Sequence, residues 1–127
     1  MIILTVEEVL YLHDLMIHRY GGSEGLRDRG LLESAVYSVN AAFGDTERYP
    51  SVEEKAARLA FGLINDHAFL DGNKRIGVLA MMTMLRLNSV SIRSTESELT
   101  ELGLGAAEGK LGCDDILSWI NQHKTNQ

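Results

Sequence analysis

The chemistry in this chain is concentrated in nine residues, His67-Ala68-Phe69-Leu70-Asp71-Gly72-Asn73-Lys74-Arg75. Asn73, Lys74 and Arg75 open a helix that continues through Ile76, Val78, Leu79, Ala80, Met81, Met82, Met84, Leu85 and Leu87, with almost no polar face. A helix that is apolar all round is a buried, central one. Its first turn carries unpaired amides that point outward, and the positive end of the dipole lies there. Two cations in that turn repel it by about 0.3–1 kcal/mol each. Stability alone would favour Asp or Glu at those positions. An anion held in the turn removes the conflict, because amides, dipole, Lys74 and Arg75 then act on one negative charge. Gly72 lets the backbone approach that anion closely. The local reading is a phosphate-binding turn between two helices.

Asp71 adds a second requirement. A carboxylate beside a phosphate repels it unless a divalent cation lies between them, and Mg²⁺ is the usual bridge. His67 lies just upstream, at the end of the preceding helix, and an imidazole titrating near neutrality can take the proton of an attacking hydroxyl. Taken singly, each residue has a plainer explanation. His67 suits a helix C-terminus, Asp71 suits an N-cap, Gly72 suits a turn, and Lys74 and Arg75 suit a solvated face. Their coincidence within nine residues favours a phosphoryl- or nucleotidyl-transfer site.

Helices must position this segment. Thr5 with Glu8 reads as a capping box, followed by Val6, Val9, Leu10, His13, Met16, Ile17 and Tyr20 at helical spacing, with Gly21-Gly22 as the stop. Asp28 caps a second helix through Leu31, Leu32, Ala35, Val36 and Val39, and Gly44 to Pro50 is a loop. Ser51 with Glu54 opens a third helix whose apolar stripe, Val52 to Ile64, reaches His67, and Asp71-Gly72 ends it. After the central helix, Asn88 to Arg93 is a turn with a short extended piece at Val90-Ser91-Ile92. Thr95 with Glu98 caps a fifth helix weakened by Gly103, Gly105 and Gly109, and Asp114 or Asp115 opens a last one through Trp119 and Ile120. The prediction is one domain over residues 1–127, an all-α compact bundle of about six helices.

Composition agrees. The 127 residues carry 12 Lys and Arg against 18 Asp and Glu, a formal charge of −6, which argues against general nucleic-acid binding. Hydrophobic residues make up 45% and charged residues 24%, as in ordinary globular chains, so disorder is excluded as the ground state. The lone Cys113 permits neither an internal disulfide nor a paired-cysteine zinc site, and is read as inert. The start lacks a basic region, and no stretch approaches the roughly 20 apolar residues of a membrane span. A cytoplasmic protein without membrane contact is expected. His13 reads as a core or groove histidine, His18 and His123 as surface residues, and Arg27, Asp28 and Arg29 as local caps. Glu96, Glu98 and Glu101 read as a solvated face.

The nine residues resemble the signature loop of the Fic/Doc family, His-Pro-Phe-x-Asp/Glu-Gly-Asn-Gly-Arg-x-x-Arg. His67, Phe69, Asp71, Gly72, Asn73 and Arg75 match; Ala68, Lys74 and Val78 depart from it. Asn-Lys-Arg at this point is typical of the Doc (death-on-curing) toxins, the short branch of the family. Leu12-His13-Asp14, Tyr20-Gly21-Gly22, Gly30-Leu31-Leu32-Glu33-Ser34-Ala35 and Ala106-Ala107-Glu108-Gly109 are also similar to the Doc pattern.

The resemblance implies a Fic-type helical fold and an enzyme acting on ATP with Mg²⁺. His67 would be the base, Asp71 the metal ligand, Gly72, Asn73, Lys74 and Arg75 the phosphate clamp, and Phe69 a structural residue packing the loop on the core. Most Fic proteins transfer AMP to a protein hydroxyl, with the final Arg holding the outer phosphates. Val78 cannot make that contact, and Lys74 fills space that the second Gly leaves open. Doc toxins present the γ-phosphate instead, so the implied activity is a protein kinase of Doc type whose substrate is a threonine of elongation factor Tu, with translation blocked as the result. Gly72, shared with the AMP-transferring branch, keeps AMP transfer as an alternative. A catalytically inactive helix- or nucleotide-binding module is a further one. The implied partner is a cognate antitoxin whose C-terminal helix covers the active site. The Ser/Thr-x-x-x-Glu-Gly/Asn pattern of self-inhibiting relatives is absent: Ser97 with Glu101 is followed by Leu102.

Overall fold

The computed structural model describes residues 1–125. Six α-helices follow in order: α1 Val6–Tyr20, α2 Arg29–Tyr37, α3 Val52–Asp66, α4 Asn73–Leu87, α5 Glu96–Ala107 and α6 Cys113–His123. A 3₁₀ turn, Ser38–Asn40, and a small antiparallel hairpin, β1 Ala42–Phe43 with β2 Thr46–Glu47, lie between α2 and α3. The all-α expectation holds. The hairpin and the 3₁₀ turn are the elements it did not include, and α2 stops at Tyr37, short of the expected Val39, which lies in the 3₁₀ turn. No described helix is long and apolar enough to cross a membrane.

Three helix starts are built as the local spacing dictates. Thr5, Ser51 and Thr95 each accept from the N–H three residues on, and Glu8, Glu54 and Glu98 each accept from the cap residue's own N–H. Such caps contribute about 1 kcal/mol apiece. Asp28 caps α2 through Leu31 N–H. The last helix starts one residue before Asp114, at Cys113. Gly112 is its N-cap, and Asp115 Oδ2 accepts from the Gly112 N–H at 2.8 Å. The third helix stops at Asp66, earlier than the Asp71-Gly72 break, because His67 turns left-handed.

α3 and α4 form the centre, packed antiparallel-fashion through the loop between them and flanked by α1, α2, α5 and α6. Leu59, Ala60, Leu63 and Ile64 of α3 and Ile76, Ala80, Met81 and Met84 of α4 are all buried. α4 is less completely enclosed than its composition implies, since Val78, Leu79 and Met82 are half-buried. Two glycines set the spacing. A Cβ on Gly77 would lie 2.5 Å from Ile64 Cγ1 and 3.1 Å from the Ala60 carbonyl. One on Gly62 would lie 3.1 Å from Ala35 Cβ of α2. Gly103, which weakens α5 on propensity alone, sits where that helix crosses α4: its Cβ would lie 3.3 Å from Val78 Cγ2 and 3.7 Å from Lys74 Cβ. Close approach thus replaces the propensity lost.

Lys55 of α3 is 2% exposed and donates to the Val39 carbonyl and to Glu47 Oε1, each at 3.0 Å, which ties the hairpin to the core. At the other end, the chain after α6 runs extended beside residues 91–93, with Thr125 N–H on Ser91 O and Arg93 N–H on His123 O, both 2.9 Å. The extended piece expected at Val90-Ser91-Ile92 finds its partner there.

His123 is not the surface residue its position near a helix end suggested. Its ring stacks on Trp119 at 4.0 Å, and its Nε2 lies 2.9 Å from Glu98 Oε2. Glu98 in turn caps α5, so it is more than a solvated charge. The Trp119 carbonyl and the Glu98 carboxylate raise the His123 pKa above its ordinary value, whereas the Thr95 amide and then His123 lower that of Glu98. A raised histidine stabilises fully below its unfolded pKa and loses that contribution as pH rises through the folded one. A lowered carboxylate does so above its unfolded pKa and loses it as pH falls. The pair therefore contributes most between about pH 4.5 and 6.5. Thermal melts of wild type and His123→Gln should differ more near pH ~5.5 than near pH ~8.5. An equal difference at both would show that Glu98 and His123 are not coupled through the proton.

Candidate active site

The site is the turn between α3 and α4, residues 67–72, laid against the C-terminal end of α1 and the loop that follows it. His67 is the C-cap of α3 at φ 52° and ψ 47°, a left-handed conformation that non-glycine residues adopt sparingly. Its side chain is exposed and takes no hydrogen bond among the described residues. Its backbone carbonyl is held, accepting from Arg27 Nε at 2.7 Å. Next to it, burial pushes the Asp66 carboxyl up, with Arg58 and His67 pulling the other way.

The middle of the turn is anchored in the core. Ala68 and Phe69 are buried. The Phe69 ring stacks on the buried ring of His13, centroids 3.8 Å apart and planes 9° from parallel. His13 Nε2 lies 2.8 Å from the Asp71 carbonyl, so Nε2–H is the donor. His13 is thus the core or groove histidine expected of the α1 stripe, buried and lining the groove beside α1, and it also fixes the backbone at Asp71. That second task joins residues 58 positions apart and has no local signal.

The Asp71 carboxylate is exposed and well supported. Oδ2 accepts from Ser23 N–H at 3.0 Å and Oδ1 from Gly72 N–H at 2.8 Å. These amides hold its pKa below the ordinary carboxylate value, with Arg75 and His13 adding smaller electrostatic help. Asp71 is therefore ionised at neutral pH. It is not the cap of α4, because Gly72 occupies that position. A Cβ on Gly22 would lie 2.7 Å from Asp71 Oδ2, so the Gly22 backbone closes directly on the carboxylate. Gly72 has φ 79°, and its Cβ would lie 2.8 Å from Met16 Cε. The close approach it allows in this structure is to α1.

α4 is the α-helix that has neither a capping side chain nor an acid in its first turn. The first amide of that helix with a backbone acceptor is Ile76, on Gly72 O at 2.8 Å. The N–H groups of Asn73, Lys74 and Arg75 have none among the described residues. The Asn73 side chain is spent inside the turn: Oδ1 accepts from Phe69 N–H and Nδ2 donates to Phe69 O, each at 3.0 Å. Its amide thus braces the turn, and only its backbone N–H is left without an acceptor among the described residues. Lys74 and Arg75 are exposed and form no ion pair among the described residues. The Arg75 guanidinium rests over the Tyr20 ring, 5.5 Å from its centroid. Val78 packs towards Gly103 of α5 and presents no polar group.

Together these features place one free imidazole and one ionised carboxylate on the turn, and three unpaired amides and two cations on the first turn of α4 beside it. Asp71 suits a hard divalent cation in charge and donor type, since each oxygen accepts only one N–H and keeps further lone pairs. Cys113, half-buried with its thiol pushed up by burial, lies outside the site.

Comparison with known proteins identifies the family of the chain. The Fic/DOC family pattern matches residues 3–85, which includes the whole turn. "Protein kinase doc" of Escherichia phage P1 is 32% identical over 119 residues, covering 94% of this chain and 93% of that protein. "Toxin Doc" of Mycolicibacterium smegmatis is 40% identical over 73 residues, covering 58% of this chain and 56% of that protein. On pattern, coverage and identity, the chain belongs to the Fic/DOC family.

Proposed function

We propose that this protein is the toxin of a toxin–antitoxin pair and a protein kinase of Doc type. It transfers the γ-phosphate of ATP to a threonine hydroxyl of elongation factor Tu, and so blocks translation in the cytoplasm. The observation that carries the reading is the start of α4, where unpaired amides, Lys74 and Arg75 adjoin an ionised Asp71. The relatives named a protein kinase and a toxin support it.

In this reading the amides of Asn73, Lys74 and Arg75 and the two cations hold the phosphates, and Asp71 holds Mg²⁺. The metal would draw charge from the phosphate oxygens. The His67 imidazole takes the proton of the incoming hydroxyl as its oxygen bonds to the γ-phosphorus. The bond from that phosphorus to the β–γ bridging oxygen breaks, and ADP leaves. Arg75 moves from Tyr20 to the phosphates when they bind. Val78, turned to α5, leaves the outer phosphates unheld in the orientation AMP transfer needs, which favours the reversed nucleotide. Gly72 favours AMP transfer as the second reading, because the AMP-transferring branch shares it.

An antitoxin helix has a surface to meet. The groove between α1 and the following loop, lined by Tyr11, Gly25, Leu26 and Phe69, leads to the turn. Tyr11, Leu15 and Leu70 are exposed. Such apolar anchors are what helix-in-groove binding uses.

The test is a translation extract given Mg²⁺ and ATP labelled on either the α- or the γ-phosphate. Transfer of γ-label alone to one protein is the expected result. Transfer of α-label would replace the proposal by AMP transfer. No label of either kind, with no growth arrest on expression, would leave a binding module.

A further inference from the structure

The C-terminal end of α3 is finished by a residue from elsewhere in the chain. A helix leaves its last carbonyls without intrahelical donors, and a basic residue in the last turn or a backbone amide usually meets them. α3 has no basic residue in its last turn. Its final carbonyls instead accept from Arg27, 40 positions upstream: Nε to His67 O at 2.7 Å, and the terminal guanidinium nitrogen to Asp66 O at 3.4 Å. The same short stretch continues along the turn. The N–H groups of Arg27 and Asp28 both reach Ala68 O, at 2.7 and 3.0 Å. Leu70 N–H reaches Gly25 O at 3.1 Å, and Leu26 pairs with Phe69.

Three successive carbonyls, 66 to 68, therefore end on two neighbouring residues. Apart from the two guanidinium contacts, these are backbone hydrogen bonds that would also form with another residue at position 27. The Arg27 fork is the exception, and it acts at the peptide that sets His67. A histidine at φ 52° has the direction of its Cα–Cβ bond set by that backbone, since the left-handed well is narrow. Holding the His67 carbonyl in plane holds the Cα–Cβ bond of the base.

We infer that Arg27 is a positioning residue for His67, setting the bond from which the imidazole projects without touching the reactants. The inference rests on the reading of His67 as the base. It separates Arg27 from Lys74 and Arg75: they act on the phosphates, and Arg27 acts on the proton acceptor. It also separates Arg27 from Arg29, which pairs with Glu7 at 2.8 Å and Glu33 at 3.6 Å and ties α2 to α1.

Arg27→Ala and Arg27→Lys test this. The alanine variant should lose about 10–100-fold in kcat, the scale on which small misplacements of a catalytic group act. Its KM for ATP should stay unchanged. Lysine keeps one donor but not the planar fork, so its kcat should fall between the two. An unchanged kcat in Arg27→Ala, or a loss that appears in KM and melting temperature but not in kcat, overturns the inference. A readout independent of turnover protects the test. The chain has four histidines, so imidazole NMR signals are resolvable and His67 is assignable by substitution. In Arg27→Lys, the His67 signal should shift or broaden while those of His13, His18 and His123 hold their positions. A His67 signal identical in both proteins overturns the inference, whether or not transfer is seen. A wild type that transfers no phosphate defeats the proposed function instead, and the NMR comparison still decides the role of Arg27.

Discussion

His67→Asn should lower phosphate transfer about 10²–10⁴-fold, the contribution of a positioned general base. Expression of the variant should no longer arrest growth. Asparagine is chosen because the residue must sit at φ 52°, a region Asn tolerates and β-branched side chains do not. The carbonyl that accepts from Arg27 is unchanged by the substitution, so the turn keeps its support. Asp71 and the start of α4 also keep their contacts, so binding of ATP to the variant should stay near the wild-type level. Loss of turnover with retained nucleotide affinity is the pattern for a residue that acts on the proton rather than on the phosphates. A variant that transfers phosphate at the wild-type rate would remove His67 from the mechanism.

Gly77→Val should strongly destabilise the central helix pair. Its Cβ would fall 2.5 Å from Ile64 Cγ1 and 3.1 Å from Ala60 O, and the second neighbour is backbone that cannot swing aside. Overpacking of this kind costs roughly 2–3 kcal/mol, more than a better helix former returns. For a domain of this size the melting temperature should fall by about 10 °C. Chemical denaturation with an unchanged slope would place the loss in the folded state. A melting temperature equal to that of wild type would mean that α3 and α4 can separate without cost. The same displacement would carry the turn that joins them, so activity should fall with stability.

What could be foreseen, and what could not, divides by distance along the chain. Thr5 with Glu8, Ser51 with Glu54, and Thr95 with Glu98 act within one turn of helix, so their spacing announced three helix starts. The nine-residue turn was visible for the same reason: cations where a helix begins are a local contradiction. The hairpin at 42–47 left a weaker trace. Gly44-Asp45 is a turn dipeptide, and Gly44 adopts φ 62°, but strands of two residues have no alternation to betray them. The contacts that hold the site had no local trace at all. His13 meets Asp71 across 58 positions, Ser23 meets Asp71 across 48, and Arg27 meets His67 across 40. Of Arg27, Asp28 and Arg29, read as local caps, Asp28 acts as one; Arg27 instead serves the end of α3, 40 positions away, and Arg29 pairs with Glu7 and Glu33. His123 looked like a surface residue for a similar reason, since Glu98 is 25 positions away. Asn73 shows the converse: its place in the turn was evident, while its commitment to Phe69 was not.

The bare start of α4 has a thermodynamic consequence. Five other α-helices carry a capping oxygen or early acids, and this one instead gathers like charges and leaves three donors without acceptors. Any polyanion that settles there acts as the missing cap and adds its binding free energy to the native state, about 2.7 kcal/mol at one hundred times its dissociation constant. Heat resistance and ligand occupancy are then one linked quantity, and a melting curve taken against ligand concentration doubles as a titration.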